Sequence, residues 1–210
     1  MTSKRALIKL LLIIQILVIS CEKKEHKKTL KTHQYINLIS SDTTGKVMKE
    51  DEFWKLIDQS RIQSNDNYEL QTKVLKEILL KLKAEEIEKF DNTFTALLAA
   101  SYNWDLLGAS YVINGGCFDD CFDYFRQNLI AHGKEKFYDT IANPDDCVYW
   151  IKSQNEELWN GIQYSAYDAY KEKTGKEIPK TYNPDWTLKG EEFDENNIEK
   201  KYPKLAKKFL

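Results

Sequence analysis

Glycine and proline are scarce in this chain, eight and four among 210 residues. That shortage argues against collagen-like, low-complexity and turn-dense β architectures, which need one or both residues often. Reaction signatures are also missing. No serine sits in a Gly-x-Ser-x-Gly elbow, no HExxH pair occurs, and no glycine-rich loop is available to cradle a phosphate. The three histidines, His26, His33 and His132, are scattered without carboxylates at a recognisable spacing. Nor does one sign of charge dominate, because 31 basic residues face 33 acidic ones for a net charge of −2. Aromatic surface, by contrast, is plentiful. Five Trp, 12 Tyr and 9 Phe within a 42% hydrophobic composition suffice for a packed core and exclude a disordered polyelectrolyte. Length predicts one domain of ordinary size or two small ones.

The only long aliphatic run lies at the start. Lys4, Arg5 and Lys9 precede Leu10 to Ile19, a run interrupted by Gln15 alone. It is too short to cross a hydrocarbon layer roughly 30 Å thick, which takes about 20 helical residues, yet it suits the h-region of a signal peptide. The run ends in Leu17, Val18, Ile19, Ser20 and Cys21, which resembles the bacterial lipobox. That resemblance implies cleavage before Cys21 and acylation of it, and hence a lipoprotein facing the periplasm or the cell exterior. Each buried methylene adds about 0.8 kcal/mol of membrane affinity and stable anchoring needs more than one chain, so a triacylated Cys21 would suffice. Behind it, Lys23, Lys24, Lys27, Lys28 and Lys31 outnumber Glu22 and Glu25, so a basic tether leads into an acidic body. The tether suits either anionic lipid headgroups or plain solvent. An exported acidic body disfavours nucleic acid as a partner, because phosphate binding needs a positive field.

The expected organisation is a signal peptide over residues 1–20, a lipidated cysteine with a polar linker over 21–48, and one compact all-α domain over 49–210. Phe53, Trp54, Leu56 and Ile57 share a helical face, with acids at 50–52 placed to complement the amino end. A second helix over 67–82 turns Leu70, Val74, Leu75, Ile78, Leu79 and Leu82 inward. Ala84 to Tyr102 places Ile87, Phe90, Phe94, Leu97 and Leu98 at helical spacing, and Trp104 to Ile113 follows, closed by Asn114, Gly115 and Gly116. The next helix carries Phe118, Phe122, Phe125 and Leu129 as its expected buried stripe and stops near Gly133. Helices over Lys134 to Ala142 and Asn155 to Thr174, with a short turn near Cys147 to Lys152, complete the body. The Pro-bearing tail predicts an extended return before a short helix near Asp194 to Lys201.

Trp104, Asp105, Leu106, Leu107, Gly108 and Ala109, followed by Asn114, Gly115, Gly116, Cys117, Phe118, Asp119, Asp120, Phe125 and Arg126, resemble the bacterial family known as domain of unknown function 4240. Asp51 to Ile57 resembles that family's opening helix, Ala169 to Gly175 its late helix and turn, and Tyr202 to Leu205 its ending, so the likeness spans about residues 50 to 205. It implies a mostly helical fold and carries no activity with it. Asn128 and Cys121 depart from the pattern, which has an aromatic and a small residue there. Export is also unusual, since many members look cytosolic.

With Cys21 assigned to lipid, Cys117, Cys121 and Cys147 remain in a compartment where disulfides persist. A bridge within one helical turn is strained. The preferred pair is therefore Cys121 with Cys147, closing a loop of about 26 residues worth roughly 3 to 4 kcal/mol. Cys117 with Cys147, or no bridge, are the alternatives. Neither cysteine spacing nor the scattered histidines match a zinc site, and no metal or other cofactor is expected.

Trp104, Asp105, Asp119, Asp120, Asp123 and Arg126 form the candidate polar site. Converging acids suit a hard cation or a hydrolytic carboxylate pair. The favoured alternative is structural, with Asp119 and Asp120 capping a helix amino end and Asp123 paired with Arg126. His132 beside Gly133 reads as a helix cap, and Trp159, Tyr164, Tyr167 and Tyr170 read as packing before recognition surface. The expectation that follows is an anchored module that binds a protein or small ligand without a catalytic residue. The competing expectation is a hydrolase built on Asp105, Asp119 and Asp120.

Overall fold

The structure, a computed structural model, describes residues 44–154 and 161–210. The signal peptide, Cys21 and most of the linker lie outside the described residues, as do Leu158 and Trp159. Helices account for the regular structure, in the order α1 (Glu50–Gln63), α2 (Tyr68–Leu79), α3 (Ala84–Ala100), α4 (Trp104–Asn114), α5 (Asp120–Ala131), α6 (Lys134–Ala142), a 3₁₀ turn (Pro144–Tyr149), α7 (Tyr164–Thr174), a second 3₁₀ turn (Glu195–Asn197), α8 (Ile198–Lys201) and α9 (Pro203–Phe209). Among the described residues the only β contact is one parallel bridge between Asn103 and Lys189, so the domain is all-α.

Local chemistry sets the boundaries. Glu50, Asp51 and Glu52 occupy the first turn of α1, where acids complement the positive end of the helix dipole. Asn65 and Asp66 then take left-handed φ of 52° and 57°, reversing the chain so that Asn67 Oδ1 caps α2 by accepting from Leu70 N at 2.9 Å. Both residue types tolerate that conformation. Asn103 caps α4 through Leu106 N at 2.8 Å. At the other end Gly115, with φ of 66°, closes the helix, as Asn-Gly-Gly predicts.

The core is one continuous apolar body. At its centre Phe53 of α1 stacks on Phe90 of α3 with ring centroids 4.7 Å apart, and Trp54 meets Phe137 of α6 at 5.4 Å. Helix α3 packs on both α5 and α7. It also anchors the segments before α1 and after α7, because Asn92 Nδ2 donates to Lys46 O (2.8 Å) and to Thr181 Oγ1 (3.0 Å).

Four expectations need correction. Helix α7 begins at Tyr164, so residues 161–163 lie outside the helix expected from Asn155. Leu70 is 45% exposed and Phe118 50% exposed. Phe118 leaves its predicted stripe because α5 begins at Asp120, which places Phe118 in the preceding turn. The last correction concerns the tail, which is irregular after Gly175 as expected but adds α9. Pro203 stands at the start of that helix, where its missing N–H costs nothing and its φ is already helical. Tyr202 locks the tail to α4 by donating its hydroxyl to Asp105 O at 2.8 Å. Gly108 makes that approach possible, since a Cβ there would stand 2.5 Å from the Tyr202 hydroxyl oxygen.

Candidate functional site

The polar residues grouped by the sequence divide into three settings. Trp104 and Asp105 open α4 and face the tail. Trp104 N donates to Lys189 O at 2.9 Å, its ring meets Phe193 edge-on at 5.9 Å, and Asp105 pairs with Lys201 Nζ at 2.8 Å.

Asp123 and Arg126 form the second setting, inside α5. Arg126 is only 4% exposed, so its charge persists only if its donors are satisfied. They are. Nη2 bonds Asp123 Oδ1 at 3.0 Å, Nη1 bonds Leu98 O at 2.7 Å, and Nε reaches Phe122 O at 3.3 Å. The guanidinium also lies over Tyr102 and Phe122, 4.8 and 4.7 Å from the ring centroids. Burial pushes its pKa down to about 10, with Asp123 and Tyr102 pulling the other way, so it stays cationic at neutral pH. By bonding Leu98 O, Arg126 satisfies one of the last four carbonyls of α3 and places positive charge at the negative end of that helix. Asp123 is engaged on its other oxygen by Gln127 Nε2 at 2.7 Å. This arrangement braces α5 against α3.

The third setting is the turn from Cys117 to Cys121. A disulfide joins these two residues, with Cα atoms 5.3 Å apart. The preferred Cys121–Cys147 pair is therefore not the one formed, and Cys147 is buried outside the bridge. The objection to a bridge within one helical turn does not apply, because Cys117 precedes α5 and is not helical. Asp119 has φ 47° and ψ −116°, and Phe118 O accepts from Cys121 N at 3.2 Å. The turn thus places a non-glycine residue in a conformation that glycine fits, at a cost of about 1–3 kcal/mol. Asp119 occupies the N-cap position without a side-chain cap bond, which corrects the expected capping. Asp119 and Asp120 instead leave their carboxylates exposed at the positive end of α5. Beside them Phe118 packs edge-on against Tyr111 at 5.5 Å, and Tyr111 touches Phe193 at 5.4 Å while donating its hydroxyl to Glu195 Oε2 at 3.0 Å. The result is an aromatic strip from Phe118 to Trp104 with an acidic rim.

Other parts of the molecule bear on function without joining this set. His132 is the C-cap residue of α5, as expected, and its Nε2 lies 2.9 Å from the Tyr68 hydroxyl. Tyr164 is exposed, whereas Tyr167 and Tyr170 are half-buried, in keeping with packing at those two. A shallow groove of about 620 Å³ follows α1 past Asp51, Lys55, Asp58 and Ile62 to Lys134; no sequence signal marked it. Sequence reasoning also missed Asp91, a buried α3 carboxyl whose Oδ1 has no hydrogen-bond partner. Among the described residues, no group of three or more His, Cys, Asp or Glu side chains is placed to hold a metal ion, and no helix is long and apolar enough to cross a membrane.

The family model described as a protein of unknown function, DUF4240, matches residues 48–172. The match runs from Met48, ahead of α1, into the last turn of α7, and it contains all six residues of the candidate polar site. Gly175 and the Tyr202–Leu205 ending lie beyond the matched residues. No curated protein and no solved structure matches the chain. With well over half of its length matched, the chain belongs to the DUF4240 family.

Proposed function

We propose that this protein is a lipid-anchored envelope module that binds a cationic protein partner through the Phe118–Asp119–Asp120 turn. The observation that carries the reading is the turn itself. A half-exposed phenyl ring is followed directly by two exposed aspartates, and the turn that presents all three is clamped by a covalent bridge. An apolar anchor with charged neighbours is the usual composition of a recognition centre, and a rigid turn lowers the ordering cost of binding. The remaining acids are committed to neighbours, Asp105 to Lys201 and Asp123 to Arg126 and Gln127. A hydrolase reading would need Asp105 to act with Asp119 and Asp120, yet these side chains are dispersed over two settings. The proposed anchor, acylated Cys21, holds the module at the membrane, and the Lys-rich tether over 22–31 gives it reach.

The test compares native protein with Phe118→Ala and with the Asp119→Asn, Asp120→Asn double variant, each extracted with its anchor from cross-linked envelopes. A defined partner should co-purify with the native protein. It should be lost with Phe118→Ala, and it should weaken at raised salt and in the double variant. Equal recovery with all three proteins would overturn the assignment of the turn.

A further inference from the structure

Resting on the binding turn proposed above, we infer that the Cys117–Cys121 bridge is a reducible switch that controls that turn. Its two sulfurs stand in unequal surroundings. Cys117 is buried, and its Sγ accepts a hydrogen bond from Ser110 Oγ at 2.8 Å, whereas Cys121 is only partly buried. Thiol–disulfide exchange needs an open sulfur to attack and a leaving sulfur able to carry negative charge. Cys121 is the open one. Cys117, held by a hydroxyl donor, is the better leaving group, because a hydrogen bond to the thiolate favours the charged form.

The reductant is a dithiol of the oxidoreductase class. Its first thiolate attacks Cys121 Sγ, the Cys117–Cys121 bond breaks, and Cys117 leaves as a thiolate facing the Ser110 hydroxyl. The second thiol of the reductant then attacks its own sulfur in the mixed disulfide and releases Cys121. Two electrons and two protons pass to the protein, which gains two thiols, and the dithiol departs as a disulfide.

The structural consequence follows from Asp119. Its left-handed φ is tolerated inside a turn whose ends are tied together, and Asp119 O accepts the α5 hydrogen bond from Asp123 N at 3.0 Å. No side-chain cap holds the start of α5. Opening the bridge lets Asp119 relax to negative φ, frees the first turn of α5 and releases Phe118 from Tyr111. Oxidation presents the turn and reduction dissolves it.

The experiment uses the folded full chain with dithiothreitol, followed by alkylation, intact mass and hydrogen exchange without any partner. Reduction is expected to add two alkyl groups to those the unreduced chain takes, at Cys117 and Cys121 and not at buried Cys147, on the native fold, with faster exchange confined to about residues 117–124. Ser110→Ala should slow the reduction about tenfold. Labelling of Cys117, Cys121 and Cys147 together, and only in denaturant, would overturn the switch. So would native reduction with unchanged exchange over that segment. If the turn opens as described but neither redox form binds a partner, the switch stands and the binding function fails.

Discussion

Raising the pH from 5 to 8 should weaken this fold through one side chain, Asp91. It lies in the middle of α3 and is 5% exposed, with Oδ1 lacking a hydrogen-bond partner. Burial is the largest influence on it and raises its pKa from 3.8 to about 7; nearby Lys180 opposes the rise and Glu88 adds to it. The folded protein therefore binds this proton more tightly than the unfolded chain does. The associated stability is complete below pH 4 and is lost as pH climbs through 7. Three pKa units correspond to about 4 kcal/mol over the whole window, of which about 2.5 kcal/mol falls between pH 5 and 8. Asp91→Asn removes the titration. Urea unfolding followed by tryptophan fluorescence at pH 5 and pH 8, on both proteins, isolates the effect, because every other titrating group cancels in the comparison. The native protein should lose about 2.5 kcal/mol more than the variant across that interval. Parallel losses in the two proteins would refute the assignment of a buried, proton-holding carboxyl.

Two further substitutions test the packing. Arg126→Met keeps much of the volume but leaves Leu98 O with the Ser101 hydroxyl as its remaining donor and Asp123 without its cation, so it should destabilise by about 2–4 kcal/mol, seen as a lower urea midpoint at an unchanged m-value. Gly108→Ala drives a methyl group into the Tyr202 ring and should cost about 1–3 kcal/mol. Its distinguishing sign is faster hydrogen exchange in α8 and α9, and uniform exchange would point to another cause.

Periodicity made α1 through α4 legible, because their apolar residues recur at helical spacing, and Asn67, Asn103 and Gly115 mark where α2 and α4 are capped or closed. The Asp123–Arg126 pair was legible for the same reason, being three residues apart on one helix. What escaped depended on one boundary. Had α5 begun at Cys117, Phe118 would face the core and a Cys117–Cys121 bridge would be strained. The helix begins at Asp120 because Asp119 takes a left-handed φ, and an aspartate gives a weaker signal of that conformation than glycine. Arg126 also reaches Leu98 across 28 residues, a separation no local pattern encodes. Asp91 sits among the apolar residues of α3 and reads there as an exposed helix position. Helix α9 was missed because Pro203 reads as a breaker unless it falls at the first helical position.

Intact mass of the protein extracted from its native membrane, without reductant, addresses the proposed anchor and the bridge together. The account predicts a chain starting at Cys21, heavier by its acyl groups and lighter by two hydrogens than the same chain after reduction. A chain starting at Met1, or one starting at Cys21 with a bare thiol, would contradict it.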